Sequence, residues 1–264
     1  MKEGKSESAI RAENLSVGYG SSTLISGIDF DISEGEIVTL IGPNGSGKST
    51  ILKTLTNQLK KRGGRIAVMG RDTASLKESD MAKTISMVTT ERIHPELMTC
   101  AEVIATGRYP YTGRLGILSK KDWDKVRNAA EKVHATDILD KDFMKTSDGQ
   151  KQRVMLARAI CQNTPIIVLD EPTSFLDMFY KIDILKTVWN LAKTEGKSII
   201  MSLHELDLAR AVSDRIICVD GAKIRKIGTV DEIFSGGFIQ NLYGLKKEEF
   251  DEKTGTMKVA FGNA

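Results

Sequence analysis

Residues 36–50, EIVTLIGPNGSGKST, constrain the fold of this chain more than any other stretch. The apolar run EIVTLIG does not alternate with polar residues, so it reads as a strand buried on both faces. It ends in glycine and passes through Gly42-Pro43-Asn44-Gly45-Ser46-Gly47-Lys48-Ser49-Thr50. Beyond the loop, Ile51, Leu52, Leu55 and Leu59 fall on one side of an expected helix, stopped by Gly63-Gly64. A strand, a glycine loop and a helix start together bring backbone N–H groups round an anion. The loop fits G-x-x-x-x-G-K-[ST], the P-loop pattern. In that pattern Lys48 neutralises the β and γ phosphates of a nucleotide and Ser49 ligates Mg²⁺. Residues 42–50 are therefore the candidate set for holding a nucleotide's phosphates. Read alone, the loop also admits a glycine-rich turn with no ligand.

Other segments place this unit in a larger α/β frame. GIDFDIS alternates Ile28, Phe30 and Ile32 with Asp29, Asp31 and Ser33, as a half-buried antiparallel strand does. Short buried strands are expected at IIVLD (166–170), SIIMSL (198–203) and RIICVD (215–220), with helices at 178–194 and 205–213 between them. Strands alternating with helices make a mostly parallel sheet. The stretch 99–161 reads as mostly helical, inserted between core strands. The expected fold class is α/β: a P-loop NTPase core with a mostly parallel sheet, an N-terminal antiparallel β subdomain and an inserted helical subdomain.

Composition narrows the function classes. A net charge of +3 over 264 residues is too small to recruit nucleic acid or a membrane surface by bulk electrostatics. No apolar run reaches the length of a membrane span, and MKEGKSESAI lacks the apolar core of a signal peptide. Cys100, Cys161 and Cys218 are odd in number and lack metal-ligand spacing, which suits a reducing cytoplasm.

Further residues carry candidate chemistry. Asp170 ends the buried strand IIVLD and is placed to hold Mg²⁺. Glu171 follows it, where a carboxylate can polarise an attacking water. His204 closes the strand SIIMSLH, and its neutral ring suits a hydrogen bond to a γ-phosphate. Tyr19, in a turn ahead of the loop, can stack on a purine or simply pack. TSDGQKQRV (146–154) opens an amphipathic helix, with Val154, Ala157 and Cys161 as its buried stripe.

The P-loop, TSDGQKQR, IIVLDEP, SFLD and SLH occur in the order and spacing of an ABC-type ATPase subunit, and the chain resembles that family from about residue 10 to 235. The resemblance implies one ABC ATPase domain over 1–264, with 99–161 as its helical subdomain and 236–264 as an extension of unassigned role. EEF and MKVAF, flanking KTGT, are expected to pair there as a hairpin. In that family two subunits pack head to tail, so the resemblance implies a homodimer. It implies that ATP lies between one P-loop and the partner's signature segment, here Ser147, Gly149 and Gln150. By the same resemblance, Ser174 to Asp177 would form the loop linking the two sites.

The signature departs from L-S-G-G-Q at Thr146 and Asp148; Asp148 is expected to cap the helix. In the family a glutamine after the strand holding MVTT reaches Mg²⁺. Here that position falls on Thr90, so Thr90 is the expected metal ligand, with Glu91 the alternative.

MTCAEVIATGRYPYTG (98–113) is similar to the ATPases that import ferric siderophores, haem and cobalamin. It implies a contact surface for a permease at Arg108, Tyr109 and Tyr111. The implied partners are two integral-membrane permease subunits and, indirectly, an extracytoplasmic substrate-binding protein, with no nucleic acid. The implied location is peripheral, on the cytoplasmic face of the cell membrane. The implied cargo is a metal chelate, a ferric siderophore before haem or cobalamin. The alternative is a soluble ABC-type ATPase that remodels a protein or nucleic-acid complex.

Overall fold

The computed structural model describes residues 8–258 except 92, 114, 175 and 222. The chain forms two compact units, residues 1–73 with 200–264, and residues 74–199. The first unit opens with β1 (Ser8–Tyr19), β2 (Ser22–Ser33), β3 (Ile37–Ile41), α1 (Lys48–Leu55), β4 (Gly63–Val68) and β5 (Arg71–Asp72). The second holds α2 (Glu78–Thr84), β6 (Ile85–Val88), α3 (Cys100–Ala105), α4 (Lys120–Lys132), α5 (Asp148–Cys161), β7 (Ile166–Leu169) and α6 (Met178–Lys193). β8 (Ser198–Ser202) begins in the second unit and ends in the first. The chain closes with α7 (Leu206–Val212), β9 (Arg215–Asp220), β10 (Lys223–Thr229), α8 (Val230–Ile233), α9 (Phe238–Tyr243), β11 (Phe250–Asp251) and β12 (Thr256–Met257).

In the first unit β1 and β2 form an antiparallel pair with β4 on the other side of β1. The alternation in GIDFDIS sets the register. Ile28, Phe30 and Ile32 pair with Leu15, Ala12 and Ile10, and all six are buried. A one-residue slip would turn these apolar side chains to the opposite face. β3 runs parallel to β9, and β10 returns antiparallel on β9. Every residue of β3 is buried, including Thr39, whose hydroxyl bonds Ser213 Oγ at 2.6 Å. Each fully buried aliphatic side chain in such a strand contributes about 1.5–3 kcal/mol.

Two expectations need correction here. The helix after the glycine loop stops at Leu55, short of Leu59. Asn57 turns left-handed at φ 61°, and the N–H groups of Gln58 and Leu59 both turn back to Lys53 O. Gly63 and Gly64 begin β4 instead of ending the helix. A Cβ on Gly64 would lie 2.2 Å from Asn14 O, so this glycine permits a close strand approach. At the C-terminal end, β11 pairs with β12 as expected for a hairpin, and the last residues of MKVAF lie outside the described residues.

In the second unit β6 and β7 pair in parallel, and between them the stretch 99–161 is built mainly from α3, α4, α5 and short 3₁₀ turns. Arg108 was expected on a contact surface, but it is 4% exposed. Its guanidinium donates to Asp122 Oδ1 at 2.9 Å and to Cys161 O at 2.9 Å, and lies 4.0 Å from the centre of the Tyr111 ring. Arg108 therefore ties the 3₁₀ turn Thr106–Tyr111 to α4 and to the end of α5. Its flat, five-donor head can satisfy a carboxylate and a carbonyl at once, which makes burial tolerable. Tyr109 does stay exposed, together with Leu97, Leu115 and Ile117.

The same clamp carries a pH signature. Asp122 is held down to about 2 from the usual 3.8, first by the Ser119 hydroxyl, then by the Ser119 amide, with Arg108 adding to them. A depressed carboxylate contributes stability that is complete above its unfolded value and lost as pH falls through its folded value. Thermal melts between pH 5 and pH 2 should therefore show a shallower loss of stability for Asp122→Asn than for the parent. Parallel acid limbs would show that Asp122 contributes no such term.

Candidate functional site

The glycine loop follows β3 in the first unit. Gly42 adopts φ 149°, and a Cβ there would sit 1.8 Å from Val219 O in β9. No residue with a side chain fits without moving the strand. Gly45 and Gly47 also have positive φ, at 75° and 102°. The loop backbone can therefore curl inward, where any other residue would resist.

Gly47 is the N-cap of α1 and offers no side-chain cap, and the first turn holds no acid. A helix start without a side-chain cap carries about half a positive charge. Ser46 Oγ is buried with no hydrogen-bond partner among the described residues. Lys48 is 5% exposed, and its ammonium donates to Gly42 O at 2.8 Å and Pro43 O at 3.1 Å. Buried cation, uncapped amides and orphaned hydroxyl fit a phosphate group. Asn44, Ser49 and Thr50 complete the expected set, in the loop and the first turn of α1.

Tyr19 lies at the end of β1, half exposed, with its hydroxyl accepting from Thr50 Oγ1 at 3.2 Å. That bond fixes the ring beside the loop while leaving a face open to solvent. Leu203 N–H donates to Leu40 O, so His204 leaves β8 at the edge from which the loop leaves β3, and it is exposed.

The second unit holds the other candidates. Asp170 follows β7, fully buried, with its N–H on Val88 O at 2.9 Å. Glu171 then takes a left-handed backbone at φ 48°. For a residue with a Cβ this costs about 1–2 kcal/mol, and such strain clusters at functional sites. Its carboxylate accepts from Ser174 Oγ at 3.0 Å, and Ser174 N–H donates to Glu171 O at 3.1 Å. Phe175, within SFLD, lies outside the described residues.

α5 begins with a full capping box. Ser147 Oγ accepts from Gln150 N–H at 3.3 Å, and Gln150 Oε1 accepts from Ser147 N–H at 3.1 Å. Asp148 was expected to be the cap, but it is the first helical residue. Ser147 is already in the extended conformation a cap needs, with Gln150 three residues on as its reciprocal partner. Asp148 instead places a charge in the first turn, where the helix dipole favours it. Gly149 has ordinary clearance, with Leu176 and Tyr180 side chains at 3.5 and 3.7 Å from a built Cβ.

A groove of about 90 Å³ gathers several of these residues within the second unit: Thr90, Glu91, Asp148, Lys151, Glu171 and Ser174. Three of these are acids, one is a cation and two carry hydroxyls. Lys151 escaped the reading of the sequence, although its spacing of three from Asp148 placed it on the same helix face. Thr90 is exposed at the groove, beyond the end of β6. Arg92 lies outside the described residues.

The backbone strain at Glu171 is measurable. Among variants lacking the side chain, Glu171→Gly should be more stable than Glu171→Ala by about 1 kcal/mol, because only glycine accepts a left-handed φ freely. Paired urea titrations decide it; equal stability would mean that the turn relaxes.

Comparison with known proteins adds an independent view. A family model described as ABC transporter matches residues 25–174. An ABC transporter ATP-binding protein of Methanocaldococcus jannaschii is 38% identical, over 93% of this chain and 85% of its own length. An iron(3+)-hydroxamate import ATP-binding protein of Bacillus subtilis is 30% identical, over 91% of this chain and 89% of its own. Among solved structures, a dimeric ATP-binding cassette in a post-hydrolysis state bound to ADP and Pi superposes with a TM-score of 0.74. It is 25% identical, covering 83% of this chain and 98% of that one.

Proposed function

The chain belongs to the ABC transporter family, as one of its ATP-binding, ATP-hydrolysing subunits, and we propose that it powers uptake of a metal chelate through a membrane permease. A ferric siderophore is the cargo this reading favours, ahead of haem or cobalamin. The observation that carries the reading of the site is the glycine loop, which joins an uncapped helix start to a buried lysine and an orphaned hydroxyl. The likeness to an iron(3+)-hydroxamate import protein supports the cargo class. Among the described residues no helix is long and apolar enough to cross a membrane, and in this reading the partner is a membrane permease. Exposed Tyr109, Leu97, Leu115 and Ile117 suit its docking, with Tyr109 as the aromatic anchor common at such contacts and the aliphatic side chains adding apolar area.

Each candidate residue has a role in this reading. The amides of residues 42–50 hold the ATP phosphates, with Lys48 giving up its loop carbonyls for the β and γ oxygens. Tyr19 stacks on the base. Ser49 and Asp170 hold Mg²⁺, which supplies charge neutralisation on the phosphates. Glu171 takes a proton from the attacking water, and His204 hydrogen-bonds the γ-phosphate. Ser147, Gly149 and Gln150 meet the nucleotide of a second subunit in a homodimer at the cytoplasmic face of the membrane. Binding energy then drives the permease, because the closed dimer makes phosphate contacts the open one lacks.

Lys48→Ala should lose tight ATP binding, whereas Glu171→Gln should bind ATP, nearly cease hydrolysis and accumulate as a dimer in light scattering. Parent-like turnover in either variant would remove that residue from its role. Co-purification with a polytopic membrane protein from detergent extracts tests the importer reading; a soluble complex alone would favour the remodelling ATPase.

Thr90 stands in for the missing glutamine, reaching Mg²⁺ directly or through a bound water. Thr90→Val should raise the Mg²⁺ requirement of the ATPase, and Glu91→Gln should mainly reduce stimulation by the permease. The reverse pattern would transfer the metal role to Glu91.

A further inference from the structure

A second cavity in the unit 74–199 lies apart from the groove at Glu171. It encloses about 320 Å³ between α4, the end of α5, β7, the end of α6 and the segment leading into β8. Its inner wall is apolar, with Ala129, Cys161, Ile167 and Leu191 all buried. Its rim carries three lysines: Lys125 and Lys132 from α4, and Lys197 from the segment before β8.

Their charges are unevenly compensated. Lys132 is paired with Glu195 at 2.6 Å. Among the described residues, Lys125 and Lys197 have no carboxylate in ion-pair range. Asp124, also on the rim, is engaged by Arg127. Lys197 is half-buried, and its ammonium is pushed down from the ordinary lysine range. Burial is the main cause, the neighbouring charges of Lys132 and Lys125 add to it, and Glu195 opposes them. A lysine held near two others over an apolar pocket is a position that an anion would stabilise.

The cavity's other chemistry points the same way. Burial pushes the Cys161 thiol up to about 11, so it is a packing group and not a thiolate. Among the described residues no group of three or more His, Cys, Asp or Glu side chains could hold a metal ion here. Asn128 and Asn163 offer amide donors at the rim. An apolar floor under a cationic, amide-bearing rim matches a ligand with an apolar body and an anionic head.

We propose that this cavity binds a small organic anion, a carboxylate or phosphate ester on a short apolar body, with its head between Lys125 and Lys197. The occupant would bridge α4 to the segment before β8, separately from ATP binding.

The test is calorimetric titration of the full-length protein with phenyl phosphate and benzoate, and with phenol as the uncharged control. Phenyl phosphate, benzoate or both should bind one to one, whichever is tighter identifying the head group, and phenol should bind at least about tenfold more weakly. Lys125→Met with Lys197→Met should weaken the anion about tenfold or more, and Lys197→Arg should stay within about threefold of the parent. Lys48→Ala, which disables the phosphate loop, should leave the affinity unchanged. Lys125→Met alone, at an exposed position, keeps the test open if the Lys197 change unfolds the chain. The proposal is overturned by phenol binding as well as the anions, by affinity that follows Lys48 and not Lys125 and Lys197, or by no anion binding at millimolar concentration.

Discussion

The approach of Gly42 to the carbonyl of Val219 is the contact on which the glycine loop depends. A side chain at that point would occupy the space of a backbone oxygen, 1.8 Å away. With hydrogen alone on Gly42, β3 can pack against β9 up to its last residue and the chain can still turn sharply into α1. The turn leaves the helix start uncapped and Lys48 folded under its own loop. An orphaned hydroxyl and a buried ammonium are both costly in isolation. A phosphate held by the loop would offset both.

Glu171 shows a related economy. Its left-handed backbone opposes stability, and the Ser174 hydroxyl and the turn from Glu171 to Ser174 hold it in place. The same turn points a carboxylate into a groove shared with Asp148, Lys151, Thr90 and Glu91. Lys151 offsets part of the negative charge gathered there, which limits the repulsion of several acids at close quarters. The helix that supplies Asp148 and Lys151 is held at its start by the Ser147–Gln150 capping box, which pairs the backbone amides of both residues.

Arg108 illustrates why a residue type that favours interfaces does not by itself mark one. Arginine is enriched at contact surfaces because its head binds several acceptors at once. The same property lets it serve inside a domain, and here Asp122, the Cys161 carbonyl and the Tyr111 ring use it fully. The exposed neighbours, Tyr109 among them, remain available for a partner. Lys125 and Lys197 are the converse case: ordinary surface residues by type, brought over one apolar cavity by the packing of α4 and the segment before β8.

Those contrasts separate what the chain determines locally from what depends on its folding. The buried strand β3, the glycine loop, the alternation of β2 and the acid after β7 were all legible in the sequence. Each is encoded by residues a few positions apart: apolar runs, period-two alternation, or glycine where φ is positive. The end of α1 was not legible, because the backbone reversal at Asn57 competes with an apolar pattern that continues to Leu59. The Ser147–Gln150 capping box is also local, its partners three residues apart, whereas only the tertiary structure decided that Arg108 is buried, that Lys151 joins Glu91 and Glu171 in one groove, and that Lys125 and Lys197 share a cavity. A side chain's partners, exposure and ionisation depend on neighbours far away in the chain, and packing alone brings those neighbours into range.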